Sequence, residues 1–167
     1  MAAAPPLLIV GASYAGVQLA ASAREFGFEE RIVIVGDERH APYQRPPLSK
    51  GLLTGKTSVD NLALRGPDFF AQNAIDLMLG RRAIALDPGA RSVRLDDGAV
   101  LDYGWLALAT GARCRPFALP GSTLEGVLDL RTLDDALRIA DAAGRTESAC
   151  VIGGGFIGLE VAVAGGG

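Results

Sequence analysis

The 167-residue chain has few of the residues from which metal and redox sites are usually built. Its two cysteines, Cys114 and Cys150, lie 36 positions apart, so they form neither a CxxC redox pair nor a cluster with the spacing of metal ligands. We expect both to be buried as small apolar residues, and the sequence leaves a disulfide between them open. The single histidine, His40, falls in a predicted loop, and we assign it no role as a proton donor. The sequence therefore predicts no metal site.

Excess charge of one sign and long apolar runs are also absent. The formal net charge is −3 and the basic residues are scattered, so we expect no nucleic-acid partner. No uninterrupted apolar segment approaches the ~20 residues that a membrane helix needs, so we expect no membrane partner. The N-terminal segment MAAAPPLLIVGA has no Lys or Arg before Arg24, unlike a secretory signal. These features predict a cytoplasmic protein.

What is abundant is apolar sequence and glycine, at 49% hydrophobic residues and 22 glycines. LLIV at 7–10 and RIVIV at 31–35 are continuous apolar runs, and between them a helical pattern ends before Gly27. This order predicts a right-handed βαβ unit with two parallel, buried strands. IDLML at 75–79 is predicted as a strand, and WLALATG at 105–111 as a buried strand that stops at Thr110 and Gly111.

Residues 83–103 instead alternate between apolar and polar side chains, with Asp97 and Gly98 as a hairpin turn, which predicts a small antiparallel β-meander. The fold class predicted is α/β, a three-layer dinucleotide-binding (Rossmann-like) fold with a parallel sheet and this meander. Helices are predicted after Gly66 and over 133–143, the latter with Thr132 and Asp135 as a capping box. ACVIG at 149–153 is predicted as the strand that starts a second Rossmann fold.

The first glycine motif, in LLIVGASYAG, has the form Gly-x-Ser-x-x-Gly directly after a strand. Gly11 allows the tight turn, Ser13 stands where the backbone approaches the phosphates, and Gly16 lets the helix pack closely on the strand. The N–H groups near Tyr14 and Ala15 then face a pyrophosphate at the positive end of the helix dipole.

An acidic pair follows at the tip of the second predicted strand. Asp37 lies 26 residues after Gly11, where a carboxylate can accept hydrogen bonds from both hydroxyls of a ribose, and Glu38 is next to it. The alternative interpretation of this pair is an ordinary solvated turn.

A second motif of the same kind begins at residue 153, where Gly153, Gly155 and Gly158 repeat the spacing for a second dinucleotide. Nine residues follow Gly158, whereas the side chain that selects NAD or NADP is expected ~20 residues after the motif. We therefore expect residues 1–147 to form an FAD-binding domain and residues 148–167 to open a truncated NAD(P)-binding domain.

Four segments in a fixed order give the sequence its family resemblance: PYQRPPLSKGLL, LALATGA, LRTLDDA and VIGGGFIGLEVA. Together with the first glycine motif, they resemble the ferredoxin reductase branch of the FAD-dependent pyridine nucleotide oxidoreductases. The resemblance covers residues 7–163. It implies that FAD and NAD(P)H are the two nucleotides.

The resemblance also implies roles for individual residues. Lys50 would lie at the isoalloxazine ring and pair with Glu160, where an ammonium favours the negative charge that develops on reduction. Asp37 would bind the adenosine ribose of FAD. The other FAD contacts implied are Gly11, Ser13, Ala15 and Gly16 at the pyrophosphate, Arg45 along the flavin nucleotide, Ala83 at the adenine, Thr110 and Gly111 beside the flavin, and Arg131 on the pyrophosphate side.

The function implied is hydride transfer from NAD(P)H to FAD, followed by electron transfer to a ferredoxin-type iron–sulfur protein. Flavin is the group that joins two-electron donors to one-electron acceptors. The segment RPPLSKGLL has no cysteine pair, so a dithiol relay of the glutathione reductase type is not expected. The alternatives are a non-catalytic nucleotide-binding fragment and a flavoprotein of the apoptosis-inducing-factor type. We expect weak or no FAD retention and no steady-state ferredoxin reduction by these 167 residues alone.

Overall fold

The structure, a computed structural model, describes residues 4–165. Residues 1–3 and 166–167, which include the last two of the predicted NAD(P)-binding segment, lie outside it. The described chain divides into two compact units. Residues 4–43 and 63–111 form what we call the sheet unit, and residues 44–62 and 112–165 form the helical unit. This division does not test the predicted domain boundary after residue 147, which stays a prediction.

The sheet unit contains a parallel sheet, an antiparallel sheet and two helices. Its elements in chain order are β1 (Leu7–Val10), α1 (Tyr14–Glu25), β2 (Ile32–Gly36), α2 (Phe69–Gln72), β3 (Ile75–Leu79), β4 (Ala83–Asp87), β5 (Ser92–Leu95), β6 (Val100–Asp102) and β7 (Trp105–Leu108). The parallel sheet has the order β3-β2-β1-β7, and the antiparallel sheet has the order β4-β5-β6. The predicted βαβ unit, parallel sheet and meander are therefore confirmed.

The two faces of the parallel sheet are covered by different layers. On one face Val17 and Ala20 of α1 pack against the side chains of Ile9 and Ile34. On the other face Leu8, Val33 and Val35 pack against Val93 and Leu95 of the meander. Because both faces are covered, β1 and β2 are buried along their whole length, as their continuous apolar sequences predict. The predicted three-layer architecture is confirmed.

Register brings the carboxyl ends of three neighbouring strands to one edge of the sheet. Leu7 lies opposite both Ile32 of β2 and Trp105 of β7, and all three strands run in the same direction. The segments that follow β1, β2 and β7 therefore emerge at this edge. In open α/β sheets this is the edge at which ligands bind.

The helical unit is built from short helices. In chain order they are a 3₁₀ helix at Pro46–Ser49, a second 3₁₀ helix at Val59–Leu62, α3 (Leu133–Ala143) and α4 (Phe156–Gly165). Helices α3 and α4 both pack against the first 3₁₀ helix. Two adjacent prolines start that helix, since the fixed φ of proline suits the first helical turn. This small helix therefore links the two longer ones.

The predicted capping box of α3 is confirmed. The backbone N–H of Asp135 donates to the Thr132 hydroxyl at 3.2 Å, and the Asp135 carboxylate accepts from the Thr132 N–H at 2.8 Å. Desolvation pushes the pKa of Asp135 upward, but hydrogen bonds from Thr132, Arg138 and Arg131 outweigh it. The pKa of this carboxyl is therefore held below its usual value.

Acid should remove the stabilisation that Asp135 provides. Because its pKa is lowered on folding, this contribution is complete above the unfolded pKa of about 3.9 and is lost as pH falls through the lower folded value. We expect Asp135→Asn to cost about 1 kcal/mol in the free energy of unfolding near pH 7, and this cost to shrink as pH falls below about 4. Urea unfolding at several pH values measures it.

The matched control is Asp141→Asn, because Asp141 lies late in the same helix with its side chain 65% exposed. Its replacement should change the free energy of unfolding by less than about 0.5 kcal/mol. A cost for Asp135→Asn that does not change with pH would contradict the role of its charge.

Two sequence predictions are wrong in the helical unit. Residues 149–153 form no strand, because a parallel strand needs a neighbour and the described residues of this unit include no other strand. Cys114 and Cys150 are exposed and free rather than buried, since both lie in irregular segments outside the apolar cores.

Among the described residues, no helix combines the length and the apolar character needed to cross a membrane.

Candidate cofactor-binding site

The turn between β1 and α1 has no room for side chains at its two glycines. Gly11 has φ +126°, and a Cβ there would lie 2.1 Å from the carbonyl oxygen of Ala109. A Cβ on Gly16 would lie 2.0 Å from the carbonyl oxygen of Gly11. Real Cβ atoms essentially never come this close to backbone. The two glycines are therefore required for the tight turn and for the close approach of α1, as the sequence predicts.

The N-terminus of α1 keeps its N–H groups available. Ser13 is the N-cap residue in an extended conformation, and its side chain makes no capping hydrogen bond. The first turn contains no acidic residue, and Tyr14 and Ala15 are exposed. Because first-turn N–H groups lack partners within the helix, this end can bind an anion at the positive end of the helix dipole.

The acidic pair follows β2 at the same edge of the sheet. Asp37 is paired with Arg82, whose Nη2 lies 3.4 Å from the Asp37 Oδ2, and its side chain is 47% exposed. Glu38 accepts a hydrogen bond from the Tyr43 hydroxyl. Because β1 and β2 are parallel neighbours, Asp37 lies on the same edge as the glycine turn. This matches the predicted position for binding a ribose.

The turn between β3 and β4 supports the acidic pair from below. The N–H of Gly80 donates to the carbonyl of Glu38, and the N–H of Arg81 donates to the carbonyl of Gly36, both at 2.9 Å. Ala83 starts β4 directly after Arg82, the residue whose side chain pairs with Asp37. The sequence analysis did not predict a role for Arg82, because its partner Asp37 lies 45 positions away. The signal that could have indicated Arg82 is its position next to Ala83.

Thr110 and Gly111 also reach this edge. They follow β7, and the backbone N of Thr110 would lie 3.2 Å from a Cβ on Gly11. Gly111 has φ +66°, where the chain turns away. The sheet unit thus brings together the glycine turn, the acidic pair, Ala83 and Thr110 with Gly111.

In the helical unit, Lys50 and Glu160 form the predicted ion pair. The Lys50 Nζ lies 3.0 Å from the Glu160 Oε1, with the two side chains 56% and 30% exposed. The Ser49 hydroxyl donates a hydrogen bond to the other oxygen, Oε2. The hydrogen bond from Ser49, and after it the one from Lys50, hold the pKa of Glu160 below its usual value. The carboxylate is therefore ionised at neutral pH and held by two donors.

The two predicted arginines of this unit are also in contact. The Arg45 Nη1 donates to the backbone carbonyl of Arg131 at 2.8 Å. Both line a cavity of about 230 Å³ within the helical unit, together with Leu48, Ser49, Ala112, Arg113, Cys114, Leu130 and Ile157. The cavity thus combines guanidinium groups with apolar walls, a lining that suits an anionic ligand with an apolar part.

The second glycine motif repeats the geometry of the first. Gly153 has φ +112°, and a Cβ on Gly158 would lie 2.4 Å from the Gly153 carbonyl oxygen. The side chain of Val151 would be 3.3 Å from that Cβ, as that of Ile9 would be 3.2 Å from a Cβ on Gly16. A Cβ on Gly155 would meet no atom within 4 Å. The predicted second turn therefore forms, although the strand predicted before it does not.

The chain belongs to the pyridine nucleotide-disulphide oxidoreductase family, whose model matches residues 5–165. It is 43% identical over 158 residues to the rhodocoxin reductase of Rhodococcus erythropolis, covering 95% of this chain and 37% of that protein. It is 40% identical to a rubredoxin-NAD(+) reductase of Pseudomonas putida, covering 95% of this chain and 41% of that protein. The chain thus spans about two fifths of the length of these relatives.

Solved structures give the same result. A ferredoxin reductase from Rhodopseudomonas palustris superposes with a TM-score of 0.92 at 41% identity, over 96% of this chain and 40% of that one. The putidaredoxin reductase in a covalent complex with putidaredoxin gives a TM-score of 0.86 at 41% identity, over 98% of this chain and 40% of that one. The predicted family resemblance is therefore confirmed.

Proposed function

We propose that this chain supplies residues that bind FAD in an enzyme that passes hydride from NAD(P)H to FAD and then single electrons to a ferredoxin-type iron–sulfur protein. The observation that carries the proposal is the duplicated glycine turn, at residues 11–16 and 153–158, because two dinucleotides need two such turns. FAD and NAD(P)H are the pair used by this family of flavoproteins.

The residues of the sheet unit fit the adenosine and pyrophosphate part of FAD. Gly11, Ser13 and Gly16 make a cradle whose glycine positions admit no side chain, and the N–H groups of Tyr14 and Ala15 would bind the pyrophosphate. We propose that Asp37 binds the ribose, with Glu38 beside it, and that the backbone at Ala83 contacts the adenine. Thr110 and Gly111 would pass beside the flavin.

The residues of the helical unit fit the rest of the reaction. Arg45 and Arg131 would bind the charged part of FAD, since guanidinium groups bind phosphate oxygens in a fixed geometry. Lys50 would hold its ammonium at the flavin ring, with Glu160 fixing its position. When bound, flavin accepts a hydride and releases electrons singly. The contribution of this chain would be the Lys50 ammonium, a positive charge that is held in position before hydride transfer begins.

The second turn would seat NAD(P)H. We propose that its pyrophosphate lies at Gly153, Gly155 and Gly158, where the open space at Gly155 leaves the backbone accessible. We therefore propose residues 1–147 as FAD-binding and residues 148–167 as the opening of an NAD(P)-binding domain. The proposed electron acceptor is supported by relatives that are named for rubredoxin and putidaredoxin.

In the complete enzyme, Asp37→Ala should weaken FAD binding at least about tenfold, because even one lost hydrogen bond to a charged group costs about 1.5–3 kcal/mol. The measurement is a titration of apoprotein with FAD followed by flavin fluorescence. If the complete enzyme bound FAD but did not pass electrons from NADH to a [2Fe–2S] ferredoxin, that result would argue against the enzyme proposed.

The matched control is Asp76→Ala. Asp76 is also an exposed aspartate of the sheet unit that pairs with an arginine, with its carboxylate 2.7 Å from the Arg31 Nε and its side chain 51% exposed. Asp76 lies within β3 and does not follow a strand that ends at the glycine turn or the acidic pair. Its replacement should therefore leave FAD affinity unchanged. Equal losses in the two variants would mean that Asp37 acts through stability and not through the ribose.

A further inference from the structure

Ser49 is unusual among the polar residues of the described chain. It is the one polar or charged residue in residues 4–165 that is buried, with 7% of its surface exposed. A buried hydroxyl without a hydrogen-bond partner lowers the stability of the fold, so the partner of the Ser49 hydroxyl determines whether that residue is stabilising. The Ser49 hydroxyl makes that bond to the carboxylate of Glu160.

Ser49 and Lys50 hold the two oxygens of one carboxylate between them. Ser49 is the last residue of the 3₁₀ helix and donates to Oε2, while Lys50 follows it and binds Oε1. The backbone N–H of Lys50 donates to the carbonyl of Pro47 at 3.1 Å, which fixes where the lysine leaves the helix. Consecutive residues thus approach the carboxylate from a single rigid segment.

The two donors differ in what they can fix. A lysine ammonium on a flexible four-carbon chain is a mobile point charge, and exposed ion pairs of this kind contribute little by themselves. A serine hydroxyl on a short, buried side chain has far fewer positions available than a lysine ammonium. The orientation of the Glu160 carboxylate therefore depends on Ser49, and the position of the Lys50 ammonium depends on that carboxylate.

We propose that Ser49 is a positioning residue that orients Glu160 and, through it, the ammonium of Lys50. Its consequence for the reaction rests on the proposed function, in which Lys50 lies at the flavin. After the Ser49 hydroxyl, Lys50 lowers the pKa of Glu160, and it is the charged group that contacts this carboxylate. Arg45, Arg113 and Arg131 line the cavity that also includes Ser49.

The first test uses apoprotein and needs no cofactor. Glutamate carboxyl carbons are labelled with ¹³C, and the titration of Glu160 is followed by NMR in the wild type and in Ser49→Ala. Because the Ser49 hydrogen bond stabilises the ionised form, the Glu160 midpoint should rise in Ser49→Ala. A folded Ser49→Ala protein with an unchanged Glu160 midpoint would overturn the proposal.

Two further variants keep the test decisive. Ser49→Cys nearly retains the size of the side chain but donates a weaker hydrogen bond, so the Glu160 midpoint should rise in this variant too. It replaces Ser49→Ala in the test if the alanine variant does not fold. Ser58→Ala is the matched control, because Ser58 is an exposed serine of the same unit and should leave the midpoint unchanged.

A second readout connects the contact to the reaction. In the complete, FAD-loaded enzyme, Ser49→Ala should slow flavin reduction by NADH about tenfold or more, the equivalent of one hydrogen bond to a charged group. If the Glu160 midpoint rises in Ser49→Ala but the wild-type enzyme never binds FAD, the positioning role of Ser49 is supported. The proposed function is then contradicted. The two failures are therefore distinguishable.

Discussion

Replacing Gly16 with alanine should lower the free energy of unfolding by about 3 kcal/mol or more, the upper range for overpacking. The new Cβ would lie 2.0 Å from the Gly11 carbonyl oxygen and 3.2 Å from the Ile9 side chain. The nearer atom belongs to the backbone of the turn and cannot rotate away, so α1 must move off β1. Urea unfolding followed by far-UV circular dichroism measures the loss, and FAD titration should show that binding is lost with it.

Gly66→Ala is the control for this prediction. It is the same chemical change within the sheet unit, but its Cβ would meet no atom within 4 Å. Where an alanine fits, the substitution is neutral or stabilises by about 0.4–1 kcal/mol. If the two variants lost similar stability, the close approach of α1 to the turn would not be what requires glycine at position 16.

Lys50→Ala should slow the reduction of bound flavin by NADH about 10²-fold, while FAD affinity falls less than about tenfold. A positive charge that is already in position lowers the barrier most where negative charge develops, as it does on a flavin during reduction. The Lys50 ammonium is held in position by its 3.0 Å contact with the Glu160 Oε1. In the complete enzyme, rapid-mixing measurements of flavin absorbance give the rate, and fluorescence titration with FAD gives the affinity. The two quantities together separate a role in reduction from a role in binding.

The other lysine of the chain, Lys56, supplies the control. It is exposed in the same unit, so Lys56→Ala should leave both the rate and the affinity unchanged. Equal losses of rate and affinity in Lys50→Ala would show that Lys50 has only a structural role.

The elements that were predicted correctly are those whose sequence patterns are local. Continuous apolar runs identify the buried strands β1 and β2, and alternation identifies the meander that covers them. The capping box of α3 needs only residues three positions apart. In each case the interaction that forms the element lies within the segment that predicts it.

The errors and omissions concern partners that are distant in sequence. Residues 149–153 have the composition of a buried strand, but a strand forms only beside a neighbour, which composition does not reveal. The hydrogen bond from Ser49 to Glu160 joins residues 111 positions apart, and no spacing rule connects them. Lys50 and Glu160 could be paired beforehand only through the family resemblance.

The second glycine turn adopts its shape with no β-strand assigned directly before it. The contact between residues 158 and 153 therefore depends on the two glycines and on the helix that follows them, and not on a strand assigned directly before the turn. A substitution at Gly158 should accordingly be as poorly tolerated as one at Gly16, although the two turns have different surroundings.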